Sequence, residues 1–311
     1  MTTVTERPPQ VPHAPVDAPV QWAWTSGPCR ALEHDFEVWV EAGWDAGPLA
    51  PVVAPFRLRR PEATRPTVRY EIRSSPERPG FGRLYADGER VAGGRYTSEL
   101  LAGLTWHINQ SVIRTSTDRY MLMHAAAATT ANVTVVLAAD MESGKTTTVA
   151  GLLRSGFDYV TDEAVAVDPE TGQISPFPKT LSVDPGSWPL FPECAPRARV
   201  EREVARVRQW MVEPHRLGAR VAAGPVSSPE VVLFPKYVAG ATTQLVPVSA
   251  GEATHELCRM NFEFARHPGR NLRTAARLAS TATCARLRIG DLDDAVDLVH
   301  ELVSQRILES L

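Results

Sequence analysis

The apolar residues of the first hundred positions fall in short runs separated by many prolines, a pattern typical of β-strands joined by turns. The predicted strands cover residues 36–40, 68–72, 83–85 and 89–91. The last two flank Asp87-Gly88, a dipeptide that favours the tight turn of a β-hairpin. The pattern therefore predicts a small antiparallel β module over residues 21–97.

A helix is predicted directly after this module, over residues 97–113. Its apolar positions lie on one stripe of a 3.6-residue period. They are Leu100, Leu101, Leu104, Ile108 and Val112. Residues 1–20 precede the module, and their five prolines and few packing residues predict a disordered tail.

The clearest change of pattern lies between residues 133 and 168. An apolar run over 133–137 ends at a loop that closes with Ser143-Gly144-Lys145-Thr146, and a helix pattern follows. A short predicted strand over 157–160 then leads to Asp162 and Glu163, which we call the acid pair. The order of strand, loop, helix, strand and acid pair is that of a phosphate-binding P-loop unit.

The rest of the chain alternates predicted strands and helices. Further strands are predicted over residues 120–129, 164–167, 174–177, 231–234, 244–246 and 284–289. Further helices are predicted over 200–211, 249–264, 272–279 and 291–302. Ser249 and Glu252 have the spacing of a capping box, and Asp291 can cap the last helix. These elements predict a mixed α/β domain over residues 116–311, after a β module with its bridging helix over 21–115.

Composition narrows the class of protein. Apolar content of 43%, charged content of 22% and a net charge of −3 are ordinary for a globular protein and predict no general attraction to nucleic acid or membranes. No apolar run reaches the roughly 18 residues of a membrane span, and the N-terminus has no signal-peptide pattern. The four cysteines lie far apart, which favours reduced thiols in a cytoplasmic protein.

The loop before the predicted helix has the chemistry of a phosphate site. A turn that leads into a helix N-terminus presents several N–H donors to phosphate oxygens. Lys145 supplies a compact positive charge, and Thr146 a hydroxyl for Mg²⁺. The chain has only three lysines beside thirty arginines, so a lysine at this place is notable. The candidate nucleotide-binding residues, which we call the GKT loop, are Ala139, Asp140, Met141, Glu142, Ser143, Gly144, Lys145, Thr146 and Thr147.

Two residues depart from the P-loop pattern. Ala139 stands where the pattern has its first glycine, and Glu142 places a negative charge where many such loops carry glycine. A carboxylate beside phosphate is unfavourable unless a cation offsets it. The alternative interpretation is a strand, turn and helix that contain this tripeptide by chance.

Two other features have a functional and a structural interpretation. Residues 57–83 contain eight arginines and three glutamates, which could form a landing face for an acidic peptide or the solvated face of an exposed strand. The second interpretation is favoured. His124 lies in the apolar run 121–126, where a histidine is more often a core residue than a catalytic one.

Six segments together resemble the HPr kinase/phosphorylase superfamily, and within it the HPr-kinase-related proteins of peptide-modifying systems. They are HAAA (124–127), GKTTT (144–148), SGFDYVTDE (155–163), PFPKTLSV (176–183), VVLFPKY (231–237) and CARLRIGDLDDAVDLV (284–299). The resemblance covers residues 120–311 and leaves the N-terminal module unexplained. It implies a P-loop kinase core related to phosphoenolpyruvate carboxykinase, and the small N-terminal β module predicted from the residues precedes this core. The implied activity is ATP- and Mg²⁺-dependent phosphorylation of a serine hydroxyl on a peptide or small protein, and the GKT loop itself is compatible with ATP or GTP.

The resemblance also implies roles for single residues. Lys145 and Thr146 match the loop lysine and the metal-binding hydroxyl. Asp162 matches the first acid of the family, the base that accepts the serine proton, and Glu163 replaces the second aspartate. His124 matches a histidine just upstream of the P-loop strand. The implied catalytic residues are therefore His124, Lys145, Asp162 and Glu163, and the implied metal ligands are Thr146, Asp162 and Glu163.

Several alternatives remain at this stage. Lys179 or an arginine of residues 197–208 could stabilise the transferring phosphoryl group. The altered loop favours a catalytically degenerate switch or scaffold that still binds nucleotide. A small-molecule kinase is a third function class, favoured only by the distant relation to metabolite enzymes. The expected partner is a peptide or small protein, without nucleic acid or membrane, and a homo-oligomer is compatible with the sequence.

Overall fold

The computed structural model of the chain describes residues 20–58, 67–131, 133–195 and 209–309. In this part of the chain the fold is mixed α/β, with two large sheets whose strands pair in both parallel and antiparallel fashion. The prediction of a mixed α/β protein is confirmed. The predicted tail, residues 1–20, lies outside the described residues except for Val20.

The first sheet contains the predicted N-terminal module. Its strands are β1 (Trp22–Thr25), β2 (Cys29–Ala31), β3 (His34–Glu41), β4 (Thr67–Ser74), β5 (Gly82–Ala86) and β6 (Glu89–Gly94). They pair in the order β1-β3-β4-β5-β6, and β2 also pairs with β3. The hairpin turn is as predicted, because Asp87 and Gly88 both have positive φ, 49° and 84°.

The expectation of a purely antiparallel module is wrong at one pair. β3 and β4 run parallel, with Val38 opposite Tyr70. A parallel pair needs a crossover connection, and the long segment between these strands includes the short helix α1 (Leu49–Val53). Helix α2 (Thr97–Ser116) contacts β3, β5 and β6, and its five predicted core positions are all buried.

The arginine-rich segment lies partly in this sheet. Arg69 and Arg73 of β4 are half-buried and pair with Glu71, and both stack on Trp22. These contacts favour the solvated strand face over a free cationic landing face. Arginines 59, 60 and 65 lie outside the described residues.

The second sheet has eight strands and carries the GKT loop. Its strands are β7 (Met121–Thr130), β8 (Val133–Ala138), β9 (Asp158–Thr161), β10 (Ala164–Val167), β11 (Ile174–Ser175), β14 (Val231–Tyr237), β15 (Gln244–Pro247) and β16 (Thr283–Ile289). Their order is β11-β10-β7-β8-β14-β16-β15, and β9 also pairs with β7. β8, β14 and β16 are parallel neighbours, whereas β7 and β15 run antiparallel to them. Strands β12 (Leu181–Val183) and β13 (Trp210–Val212) form a separate pair.

Helices cover both faces of the second sheet. They are α3 (Lys145–Arg154), α4 (Ala250–Arg259), α5 (Pro268–Thr281) and α6 (Leu292–Glu309). α3 and α6 share one hydrophobic cluster with alternate residues of β8, such as Val135 and Leu137. α4 and α5 share another cluster with Val136 and Ala138. The strand period of two thus divides β8 between two cores, which explains its continuous apolar run.

Two predicted helices differ from the structure. The helix predicted over 249–264 begins with its capping box at Ser249 but ends at Arg259. The helix predicted over 200–211 falls mostly on residues outside the description. The prediction is wrong for its last two residues, because Trp210 and Met211 lie in β13 and pair with β12. The described residues include no helix long and apolar enough to cross a membrane.

Candidate functional site

The strand register brings the acid pair close to the GKT loop. β9 ends with Thr161 opposite Ala127 of β7, and β10 begins with Ala164 opposite His124. Residues 162–163 therefore form a break between two strands that follow the same edge of β7. On its other edge, β7 pairs Ala125 with Ala138, the last residue of β8, and the GKT loop begins at the next residue.

Lys145 is the centre of the GKT loop. Its Nζ donates hydrogen bonds to the carbonyl oxygens of Ala139 and Asp140, at 2.7 and 2.6 Å. The loop thus closes around the ammonium group, and residue Lys145 is only 6% exposed. Burial lowers the pKa of Lys145 to about 8, and the neighbouring carboxylates oppose this shift, Glu163 most strongly.

The other loop residues have separate surroundings. Gly144 has φ +96°, a backbone that glycine adopts without strain, and it begins α3. Thr147 hydrogen-bonds Ser187 at 2.6 Å, which ties the start of α3 to the segment 184–190. Asp140 is exposed and pairs with Arg259 of α4 at 3.2 Å.

Glu142 has an unusual backbone as well as an unusual charge. Its φ of 59° places a non-glycine residue in the left-handed region. This region costs roughly 1–2 kcal/mol for a residue with a Cβ. The position is therefore one that glycine would favour, and many P-loops carry glycine there, although this chain has glutamate. Met141, the preceding residue, is 80% exposed.

Asp162 lies in a closed polar network. Its Oδ1 receives hydrogen bonds from the Tyr159 hydroxyl at 2.8 Å and pairs with Lys179 Nζ at 2.9 Å. Its Oδ2 accepts from the backbone N–H of Ser182 at 3.2 Å. The side chain of Asp162 is 1% exposed and that of Lys179 is 3% exposed. Although burial lowers it, the two acids raise the pKa of Lys179 above its usual value, so the lysine is a cation here.

Glu163 is the more accessible member of the acid pair. Its side chain is 30% exposed, and one carboxylate oxygen lies 3.6 Å from Lys179 Nζ. His124 is a near neighbour, because the Glu163 carboxylate and backbone both act to raise the pKa of its imidazole. Burial and then the Lys145 charge lower the pKa of His124, so the ring is neutral at pH 7.

Four buried polar atoms of these residues or their neighbours have no hydrogen-bond partner within the described part of the chain. They are Ser143 Oγ, His124 Nε2, Thr180 Oγ1 and Asn261 Nδ2. Ser143 belongs to the GKT loop, Thr180 follows Lys179, and Asn261 pairs with the strand that carries His124. Buried polar atoms are normally satisfied, so each of these atoms is available to a polar ligand.

A cleft of about 640 Å³ opens at the start of α3. One wall consists of Glu142 and the helix N-terminus from Gly144 to Thr148, and a second wall consists of residues 184–187 with Pro189 and Leu190. A stack between Trp188 and Trp210, with ring centroids 4.7 Å apart, holds that segment. The third wall consists of Tyr237, Ile289, Gly290, Asp291 and Leu292.

The residues present fit a metal-bound phosphate ligand. The described residues contain no group of three or more His, Cys, Asp or Glu side chains that could hold a metal ion alone. Mg²⁺ characteristically uses one or two carboxylates together with phosphate oxygens and water. Thr146 and Lys145 line the cleft, whereas the acid pair lies outside the cleft lining and acts electrostatically on Lys145, from where it would supply the carboxylates.

The structure brings most predicted site residues together. Lys145, His124 and the acid pair affect one another electrostatically, and Thr146 lines the cleft. Lys179 was predicted only as a possible partner of the phosphoryl group, and the structure places it against the acid pair instead. A sequence signal for it existed, because it is one of three lysines in a chain with thirty arginines. The sequence analysis missed Tyr159, Ser182 and Tyr237, and their residue types and positions gave no comparable signal.

Two comparisons with known proteins give no match. No protein-family model matches the chain, and no curated protein matches it.

Proposed function

We propose that the protein is a nucleotide-dependent kinase that uses ATP or GTP with Mg²⁺ and phosphorylates a serine hydroxyl of a peptide or small protein. The observation that carries the proposal is the buried Lys145, enclosed by its loop at the start of α3 and opposite the acid pair. A helix N-terminus and an enclosed cation together favour a polyanionic ligand. The serine acceptor rests on the resemblance to HPr-kinase-related proteins, and a cytoplasmic location rests on the four widely separated cysteines.

Each group then has a defined task. Backbone N–H groups of residues 143–146 and the Lys145 ammonium hold the phosphates. Thr146 and the acid pair hold Mg²⁺, which supplies charge neutralisation at the transferring phosphoryl group. A carboxylate of the acid pair accepts the proton of the attacking hydroxyl. Catalysis in this scheme depends mainly on positioning and charge, as is usual for phosphoryl transfer.

The cleft supports a nucleotide over phosphate alone. Tyr237, 57% exposed, and Leu190, 42% exposed, are large apolar side chains that line it beyond the loop. Exposed apolar side chains in a concave site favour binding of a flat apolar group such as a purine. The GKT loop by itself would explain binding of the phosphates but not of the base.

Transfer can be tested with γ-labelled ATP, Mg²⁺ and a library of serine-containing peptides. We expect label on peptide with the native protein, and a loss of about 10²-fold or more in Lys145→Met because the preorganised charge is removed. Lys236→Met is the matched control, since Lys236 is an exposed lysine of β14. Label on a metabolite but on no peptide would contradict the peptide substrate.

One observation favours a second candidate function, a nucleotide-binding switch without catalysis. Glu142 puts both strain and negative charge into the GKT loop, which weakens the case for efficient turnover. Tight ATP binding with no transfer to peptide or water would identify this second function.

A further inference from the structure

The two members of the acid pair have unequal surroundings, and Lys179 is the cause. A carboxylate has two oxygens with about four acceptor sites. Asp162 fills three of these with the Tyr159 hydroxyl, Lys179 Nζ and the Ser182 N–H, and solvent does not reach it. Because the remaining acceptor site is buried with the carboxylate, a metal ion or a substrate hydroxyl could reach Asp162 only by displacing one of these three donors.

Glu163 has the opposite character. Its side chain is 30% exposed and its contact with Lys179 is longer, 3.6 Å against 2.9 Å for Asp162. Among the carboxylates that act on Lys145, Glu163 acts most strongly and Asp162 least. The accessible acid, Glu163, is therefore also the acid with the larger effect on the pKa of the phosphate-binding lysine.

The place of Lys179 is fixed from two sides. It follows Pro176-Phe177-Pro178, whose prolines restrict the backbone, and its N–H donates to the Phe177 carbonyl at 3.0 Å. Phe177 is 1% exposed and packs on Phe56 of the N-terminal module, with ring centroids 5.7 Å apart. Lys179 also donates to the Thr180 carbonyl at 3.1 Å. Its ammonium group is thus held at the acid pair by the packing between the two sheets.

We propose that Lys179 is a positioning residue that occupies Asp162 in a buried ion pair and leaves Glu163 as the carboxylate presented to the metal–nucleotide at the GKT loop. This inference rests on the proposed function. It assigns proton acceptance and metal contact to Glu163, whereas the resemblance to HPr-kinase-related proteins assigns the base to Asp162. It also gives the N-terminal module a role, because Phe56 supports the segment that carries Lys179.

Lys179 has a second consequence for metal binding. With the lysine in place, the acid pair carries a net charge of about −1 and is a weak site for a bare divalent cation. Without it, two adjacent carboxylates would attract Mg²⁺ in the absence of nucleotide. A residue that served stability alone would not change metal affinity in this way.

The first experiment titrates Mg²⁺ into nucleotide-free protein by calorimetry. Lys179→Met should bind Mg²⁺ about 10-fold more tightly than the native protein. The double variant Asp162→Asn/Lys179→Met should lose that gain, and Lys236→Met should match the native protein. Equal Mg²⁺ affinity in Lys179→Met and the native protein would overturn the proposal.

The second experiment measures ATP affinity with and without Mg²⁺, together with thermal melting. Glu163→Gln should lose about 10-fold of the Mg²⁺-dependent gain in ATP affinity at an unchanged melting temperature. Asp162→Asn should keep most of that gain but melt at a lower temperature, because Lys179 is left buried without its partner. The division of roles would be overturned if Asp162→Asn lost the Mg²⁺-dependent gain in ATP affinity and Glu163→Gln kept it.

The outcomes separate this inference from the proposed function. If the native protein binds no ATP with or without Mg²⁺, the proposed function fails and the role of Glu163 fails with it. The ion pair is still decided by melting, since Asp162→Asn and Lys179→Met should be strongly non-additive when combined. Additive losses in melting temperature would overturn the Lys179–Asp162 pairing itself.

Discussion

Glu142 combines two unfavourable features within one residue of the GKT loop. Its backbone is left-handed, and its carboxylate lies beside the proposed phosphate position. Glu142→Gly should remove roughly 1 kcal/mol of strain and one negative charge, and so raise both the melting temperature and ATP affinity. Melting and calorimetry measure the two effects on the same samples.

The variant Glu142→Gln separates these two causes. It removes the charge and keeps the strained backbone, so it should raise ATP affinity without raising the melting temperature. If Glu142→Gly instead binds ATP more weakly, the glutamate contributes to the ligand site and is not a departure that the loop merely tolerates.

At the scale of elements, a buried polar chain fastens α2 to the first sheet. His34 Nε2 lies 3.2 Å from the Tyr70 hydroxyl, which lies 3.0 Å from His107 Nδ1 on the helix. Burial and then the neighbouring His107 lower the pKa of His34 to about 4, and burial raises the pKa of Tyr70 to about 12. The network therefore stays neutral in the folded protein at pH 7.

This network predicts acid sensitivity. Between about pH 6.5 and 4, His34 takes up a proton in the unfolded chain but not in the folded one, so the free energy of unfolding falls as the pH falls. The contribution of His34 over this window is roughly 3 kcal/mol. His34→Gln should flatten the dependence in urea unfolding measured at pH 7 and pH 4.5. An unchanged slope in that variant would show that other groups cause the acid sensitivity.

At the scale of the whole molecule, the two sheets share one hydrophobic cluster. Ala164 of β10 and Phe177, which follows β11, belong to the hydrophobic cluster of the N-terminal module. Phe177→Ala should lower the free energy of unfolding by about 3–5 kcal/mol, as expected for a large side chain lost from a core. The protein should still unfold in one transition, followed by tryptophan fluorescence and circular dichroism. Two separate transitions in the native protein would contradict a shared core.

The parts of the structure that the sequence predicted well are those with a local cause. The run of residues that forms β8, the GKT loop and α3 is set by strand and helix periods and by Gly144, all within one stretch of chain. The capping box at Ser249 is equally local. Such features can be predicted because neighbouring residues alone determine them.

The parts that sequence reasoning missed depend on contacts between distant segments. The parallel pairing of β3 with β4 depends on where the connection between them packs. The hydrophobic period within each strand does not predict that packing. The Lys179–Asp162 pair joins a strand break to a proline-rich segment, and neither segment has a periodic pattern. The unequal exposure of Asp162 and Glu163 follows from that pair. Adjacent acids in a sequence therefore do not reveal which one meets the ligand.

Calorimetry with ATP·Mg²⁺ measures whether the GKT loop binds the phosphates of a nucleotide. The native protein and Lys236→Met should bind with the same affinity, whereas Lys145→Met should bind at least about 10-fold more weakly, since the enclosed cation is lost. Equal binding by all three proteins, or no heat of binding from the native protein at millimolar ATP, would contradict the account.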